Sequence, residues 1–541
     1  MSKGLKISLV ILSLVWFVAQ LPAVFYSTQK LALHMSYIGD EQAPINGALK
    51  MLQEKSLLGM RNAQTVYYGP IFSIIALPAV IADFSEKFLF ADVRSASDYR
   101  DYILWNWGGI VWKARLISVL FSFLSLFIVF KLFCTKTFNP SGNKYLPLAV
   151  AVLLSTNFLF FEYGHFFRHW TFVLFSIVGM LYSIVRLHET DHKKYYAYSL
   201  VFTVFGFGVS YLNIVFLTAW IPLLVHWIAK KKHHEFKRFF VFSAALIFFL
   251  TVIVAWNPHP FLRIVGLSGG DIINSDTSSL SSEKQKVGYS FSYYSRIILN
   301  NELPLVIALV ILIISIAPKV GLHKKLFFTI TASALIPFFI IFGIISHHES
   351  RYALPMMLLL ILLVGGLAGH YLLYKSSINK YATLSLVALV LFTVLYNCAV
   401  DVALIKVWNR GPKEVELIKK LQDFQKTDPT SKTLVAKHYL LGAPHTKDAY
   451  MDYMKNTNKT KVNLYNAILE ADYPVDAIPL SVYYVIPPKF VLNRDIIESY
   501  KHIVYYYEFN LEQGAEPDYF DVDTSNLFIH QDLSDSYYFI K

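Results

Sequence analysis

Residues 353–374 read ALPMMLLLILLVGGLAGHYLLY, an apolar run with no Asp, Glu, Lys or Arg. A helix of this length crosses a hydrocarbon core about 30 Å thick. Ten further runs resemble it, at 5–26, 110–133, 145–160, 169–187, 195–212, 213–229, 239–256, 303–318, 326–345 and 380–405. The composition agrees. Of 541 residues 55% are hydrophobic and 16% are charged, against about 25% charged in a soluble domain, and the mean hydropathy is +0.45. The expected fold class is an all-α polytopic membrane protein of about eleven transmembrane helices.

The Lys and Arg residues test that count. They crowd 131–144, 186–194, 230–238, 319–325 and 375–380, which are alternate connections, on the same side as the basic N-terminus. The opposite connections 161–168 and 346–352 carry one Arg each. By the positive-inside rule the N-terminus is cytoplasmic and the C-terminus external. The net charge of +12 follows from these clusters, so nucleic acid is excluded as a partner. The run 5–26 is too long for a signal-peptide core and reads as an uncleaved signal anchor. Cys134 and Cys398 lie in or beside apolar runs and imply no disulfide framework.

One apolar segment, 67–84, is left over. Counting it as a span inverts every later connection, and it contains Pro70 and Pro78 with Asp83 and Glu86 at its end. It reads as an interfacial helix. Residues 1–405 thus form a transmembrane domain with long external loops at 27–109 and 257–302, the latter Ser/Asn/Gly-rich around 266–282. Beyond 406 the apolar runs shorten. Strand-like stretches at 482–486 and 503–509 and a helix-like one at 413–425 predict an external soluble α/β domain over 406–541. That region also contains the glycosylation triplet Asn458-Lys459-Thr460.

Three polar clusters interrupt the external helix ends. Gly39-Asp40-Glu41 follows the first span, where adjacent carboxylates are either solvated loop residues or a general base for a hydroxyl. The connection after the third span holds Glu162, His165, Arg168 and His169 among aromatics. A lone Arg there is usually a snorkelling anchor, but an acid, two His and an Arg in one turn suggest more. Ser346 to Tyr352 contains His347, His348, Glu349 and Arg351, either a polar interfacial loop or a cationic site for phosphate. An acid to deprotonate an acceptor, and cations to hold a departing phosphate, are what glycosyl transfer from a lipid-phosphate sugar requires.

In these residues the chain resembles GT-C fold glycosyltransferases of the protein O-mannosyltransferase and lipid A aminoarabinose transferase type. Those families have an acidic motif after the first helix, matched by Asp40-Glu41. Next comes a proline-bearing juxtamembrane stretch, matched by Tyr67-Tyr68-Gly69-Pro70-Ile71-Phe72, with Gly69 where many relatives have the first of two prolines. Ala114-Arg115-Leu116 matches the opening of their second span. Glu162 and Arg168 match the loop after the third helix, and His347, Glu349, Arg351, Tyr352 and Pro355 match a late His-x-Glu-x-Arg-Tyr pattern. The aminoarabinose type usually continues the acidic pair with Arg-Tyr, where this chain has Gln42-Ala43-Pro44.

The resemblance implies an inverting glycosyltransferase that moves a sugar from a polyprenyl-phosphate carrier to an external acceptor hydroxyl. It places the catalytic acid at Asp40 or Glu41 and the donor phosphate at Arg168, Arg351, His347 and His348. Glu162, His165, Tyr67, Tyr68, Glu349 and Tyr352 are left to support or to hold the acceptor. The expected partners are the lipid-linked donor, a lipid, glycan or protein acceptor, and membrane lipids. No metal is assigned, because the histidines lack a tight ligand spacing, although a divalent metal stays open beside the donor. A membrane glycan polymerase or ligase is the runner-up; a secondary transporter fits less well, because the span centres are nearly free of charge and no repeat appears.

Overall fold

The computed structural model describes residues 3–26, 35–59, 68–91, 108–258, 288–318, 325–344, 350–374 and 380–410, short pieces between them, and the strands given below. The helices are α1 (Lys3–Phe25), α2 (Met35–Gln53), α3 (Pro70–Phe90), α4 (Gly108–Leu132), α5 (Leu146–Ser155), α6 (Phe158–Tyr163), α7 (His169–Thr190) and α8 (Lys194–Val209). A 3-10 helix (Tyr211–Trp220) then runs into α9 (Ile221–Ala229). It is followed by α10 (His233–Trp256), α11 (Gly288–Ile316), α12 (Leu326–Ile344), α13 (Ala353–Leu373) and α14 (Lys380–Arg410).

Nine of the described helices are long and apolar enough to cross a membrane. The other two expected spans are helical but shorter. The run 145–160 is split, because α5 ends at Ser155 and the Asn157 side chain accepts from the Phe160 N–H, capping the start of α6. The run 195–212 stops as a 16-residue helix, roughly 24 Å long, and turns at the extended residue Ser210.

Two helices form the centre of the bundle. The span windows of α7 and α13 are 83% and 78% buried, against 17% in α10 and 22% in α14. Helix α7 packs on α4 and α8, and α13 on α11 and α12. Helix α14 packs on α11 and on α1, so the last span closes against the first. The outward side chains of α1, α10 and α14 are large and apolar, as a lipid-facing surface requires.

The two long loops expected at 27–109 and 257–302 hold more helix than expected. Within 27–109 lie α2 and α3, packed on each other, with α3 also on α4. Helix α3 is not among the nine spans; its end carries Asp83, Glu86 and Lys87. Buried Asp83 accepts from Lys113 Nζ at 2.6 Å and from the Tyr99 hydroxyl at 3.0 Å, which anchors α3 to α4. Within 257–302, helix α11 already begins at Gly288 and kinks at Glu302, just before Pro304. The Ser/Asn/Gly-rich stretch 266–282 lies outside the described residues.

Four strands follow the helices: β1 (Thr433–Lys437), β2 (Val475–Pro479), β3 (His502–Glu508) and β4 (Asp535–Phe539). Their order is β2-β1-β3-β4, with the first three parallel and β4 antiparallel to β3. Parallel neighbours need crossover connections, which the long intervals between these strands supply. The expected strand at 503–509 is β3. The stretches 413–425 and 482–486 and the Asn458 triplet lie outside the described residues.

Candidate active site

The acidic pair, expected in a loop, lies in the second turn of α2. Glu41 is fully buried and bonded through both oxygens to one guanidinium: Arg115 Nε donates to Oε1 at 2.9 Å and Nη2 to Oε2 at 2.8 Å. The remaining nitrogen, Nη1, donates to the carbonyls of Ala23, Val24 and Tyr26. These belong to the last turn of α1 and the residue beyond it, where carbonyls have no intrahelical partner and the helix dipole favours a cation. Arg115 therefore caps α1 with one edge and holds α2 with the other. Of Asp40 only the backbone is described. Its carbonyl lacks a helical partner, because residue 44 is a proline.

Glu41 also reaches the connection after the third span. Its Oε1 accepts the Phe167 N–H at 2.7 Å. Other backbone groups of that connection are held by side chains from neighbouring helices. Gln20 Nε2 donates to the Phe161 carbonyl at 3.0 Å, Ser122 Oγ to the Gly164 carbonyl at 2.8 Å, and Thr171 Oγ1 to the Tyr163 carbonyl at 3.2 Å. A buried turn must find partners for its peptide groups, and here α1, α2, α4 and α7 provide them.

The side chains of this connection pack as a sheet of rings and cations. Arg115 and Arg168 both lie over the Phe166 ring, 5.4 and 5.6 Å from its centre, attracted by the negative face of the ring. Glu162 is buried. His165 is fully buried, its ring 4.1 Å from that of Phe166 and 4.9 Å from that of Trp408. Burial, with the Arg115 charge nearby, holds the His165 imidazole well below its usual range, so it is neutral at pH 7.

A run of aromatic contacts leads from here to the third cluster. Tyr68 lies 4.9 Å from His169, His169 lies 4.2 Å from Trp170, and Trp170 meets Tyr352 edge-on at 5.0 Å. The Arg351 guanidinium is 5.8 Å from the Tyr352 ring. Ser350–Tyr352 is a single 3-10 turn leading into α13. The juxtamembrane residue Gly69 is fixed by contact: its N–H donates to the Val209 carbonyl at 2.9 Å, and a Cβ there would lie 2.3 Å from the Gly208 oxygen. A proline at this position has neither the N–H nor the room, which accounts for the glycine.

The structure thus joins Glu41, Tyr68, Glu162, His165, Arg168, Arg351 and Tyr352 at one end of the bundle. Tyr67, His347, His348 and Glu349 lie outside the described residues. Arg115, which the sequence offered only as a family match, holds the arrangement together. An arginine inside an apolar run, two residues beyond Lys113, was the available signal. Among the described residues no group of three or more His, Cys, Asp and Glu side chains could hold a metal ion.

The fold is that of a multi-pass integral membrane protein, a bundle of apolar helices. Among solved structures it is similar to ArnT from Cupriavidus metallidurans in the apo state, at 12% identity over 93% of this chain and 94% of that one, with a TM-score of 0.50. The structure of ArnT from the same organism bound to undecaprenyl phosphate gives 13% identity, 95% coverage of both chains and a TM-score of 0.49. No family model and no curated protein matches the sequence.

Proposed function

We propose that this chain is an inverting glycosyltransferase that moves a sugar from a polyprenyl-phosphate carrier to an acceptor hydroxyl on the external face of the membrane. The observation that carries this reading is the junction just described. The turn that bears Glu162 and Arg168 is bonded to the helix that bears Asp40, and aromatic contacts extend from it to Arg351. An acid and two arginines at one end of a bundle suit a reaction in which a hydroxyl loses a proton while a phosphate monoester departs.

Asp40 is the base in this mechanism. Glu41 is fully buried and held by Arg115 on both oxygens and by the Phe167 N–H on one, so taking up an acceptor proton would break the buried ion pair. The acceptor oxygen attacks the anomeric carbon from the face opposite the phosphate, and Asp40 takes its proton as the bond forms. The C–O bond to the phosphate breaks, and the phosphate leaves with its negative charge against Arg168 and Arg351. Planar guanidinium groups match phosphate oxygens with two parallel hydrogen bonds. The buried carboxylate of Glu162 and the ring of His165 shape the turn, with Tyr68 and Tyr352 on the acceptor side. A bacterial inner membrane, with the N-terminus cytoplasmic and the strands external, completes the proposal.

The test is product analysis with the purified full-length chain and a polyprenyl-monophosphate sugar. Addition of one sugar with inverted configuration and release of polyprenyl phosphate supports the reading. Transfer of a preassembled glycan from a diphosphate carrier assigns the chain to the polymerase or ligase class instead.

A further inference from the structure

The kink in α11 places a carboxylate inside the bundle. Pro304 lacks the N–H that would continue the helical ladder and disfavours helical backbone just before it. Two residues earlier, Glu302 leaves helical geometry at φ −131° and ψ 29°. Its side chain is 1% exposed. One oxygen, Oε1, accepts from Asn157 Nδ2 at 2.5 Å and from Asn397 Nδ2 at 2.9 Å. The other, Oε2, has no hydrogen-bond partner among the described residues.

Two more bare oxygens adjoin it. Asn397 and Asp401 stand four residues apart on α14, a spacing that puts them on one face. Both are buried, and Asn397 Oδ1 and Asp401 Oδ1 likewise have no partner among the described residues. Helix α11, which carries Glu302, packs on α14, which carries Asn397 and Asp401. No Lys, Arg or His pairs with either carboxylate among the described residues. Buried oxygens normally find a donor, and a cluster left bare is explained by a ligand that accepts their lone pairs.

The donor set says which ligand. It holds two carboxylates and one carboxamide oxygen, with neither sulfur nor imidazole. Oxygen-only sets favour hard cations, and two negative charges are balanced by a divalent one. We propose that Glu302, Asn397 and Asp401 form a binding site for a hard divalent cation, calcium or magnesium, with water completing its shell. The site is separate from the histidines of the external clusters and takes no part in the proposed transfer. Its effect is on position. Asn157 caps α6 with its oxygen and holds Glu302 with its nitrogen, so a cation on Glu302 fixes the start of the turn that carries Glu162 and Arg168.

The test uses the full-length protein in lipid nanodiscs, stripped with chelator and returned to metal-free buffer at constant ionic strength. Calcium and magnesium chloride are titrated separately, with thermal unfolding and calorimetry as readouts. The expected result is a saturable rise in Tm of several degrees with about one cation bound per chain; the cation acting at the lower concentration names the occupant. Glu302→Gln/Asp401→Asn keeps the shapes, removes both charges and should fold, and its Tm should no longer respond to either salt. Asp401→Asn alone should weaken binding at least about tenfold, as loss of one charged ligand does. Two results overturn the proposal. If wild type ignores both cations while the double variant is more stable throughout, the carboxylates share a proton. If wild type and variant respond alike, the cation binds elsewhere. Neither readout depends on sugar transfer, so failure of the transferase reading leaves this test intact.

Discussion

Arg115 and Glu41 meet through two parallel hydrogen bonds of 2.9 and 2.8 Å, and both side chains are shut off from solvent. One residue comes from the second span and the other from the helix after the first, 74 positions apart in the chain. Removing either leaves a buried charge alone, at a cost of about 3–5 kcal/mol, whereas replacing both with apolar residues is often near neutral. Arg115→Met should therefore lower thermal stability in nanodiscs markedly, and Glu41→Leu/Arg115→Met should recover part of the loss. Equal stability of wild type and all variants would show that the pair contributes nothing.

Asp40 and Glu41 separate by chemistry. Asp40→Asn keeps the size of the side chain but accepts no proton, so transfer should fall by about a hundredfold or more with insertion and Tm unchanged. Glu41→Gln should lower Tm along with activity, because its role is to hold Arg115 and the Phe167 N–H. Activity and unfolding measured on the same preparations decide it. A fully active Asp40→Asn protein removes the base from the mechanism.

The arginines should show a graded loss. In the proposed mechanism Arg351→Ala and Arg168→Ala each remove a contact to the leaving phosphate, so each should cost about 3 kcal/mol or roughly a hundredfold in rate. Lysine retains the charge but not the fork, so Arg351→Lys should fall between alanine and wild type. Near-native kcat/KM for both Arg351 variants would reassign the residue to interfacial anchoring.

His165 predicts a pH dependence of stability. Its folded pKa lies well below the ordinary value of 6.5, first through burial and then through Arg115. The unfolded chain therefore binds a proton that the folded chain refuses once the pH drops below about 6.5. Stability is fully present above that value and declines below it, by about 1.4 kcal/mol per pH unit for one such group until the folded pKa is reached. His165→Phe should flatten this part of the profile. An unchanged slope would show that other groups cause it.

Sidedness is testable by labelling. Membrane-impermeant thiol reagent applied outside should reach Ser350→Cys and miss His233→Cys. The opposite pattern inverts the orientation and moves the proposed site to the cytoplasm.

Much of the bundle was legible in the sequence, because lipid forces a spanning segment to be uniformly apolar and charge to gather at its ends. What escaped notice depends on contacts between distant segments. Helix α2 contains Gly39 and Pro44, poor helix formers, and is stabilised by packing on α3 and by the Arg115 pair. The break at Asn157 is a cap, which a hydropathy average smooths away. Glu302 and Asp401 lie about a hundred residues apart in the sequence, and only the packing of α11 on α14 brings Glu302 to Asn397, one helical turn before Asp401. The three polar clusters were visible as residues, but the bonds that unite them, such as Glu41 to the Phe167 N–H, were not.

The ring of Trp408, near the end of α14, stacks on Phe161 and stands edge-on to His165. Protein synthesis runs from the N-terminus, so the turn at 158–168 enters the membrane long before the residue that covers it exists. A nascent chain halted before the last span has the acid, the arginines and the turn, yet lacks the lid on its imidazole. The order of translation thus leaves the ring contacts of Trp408 with Phe161 and His165 to form only once α14 is inserted beside α1.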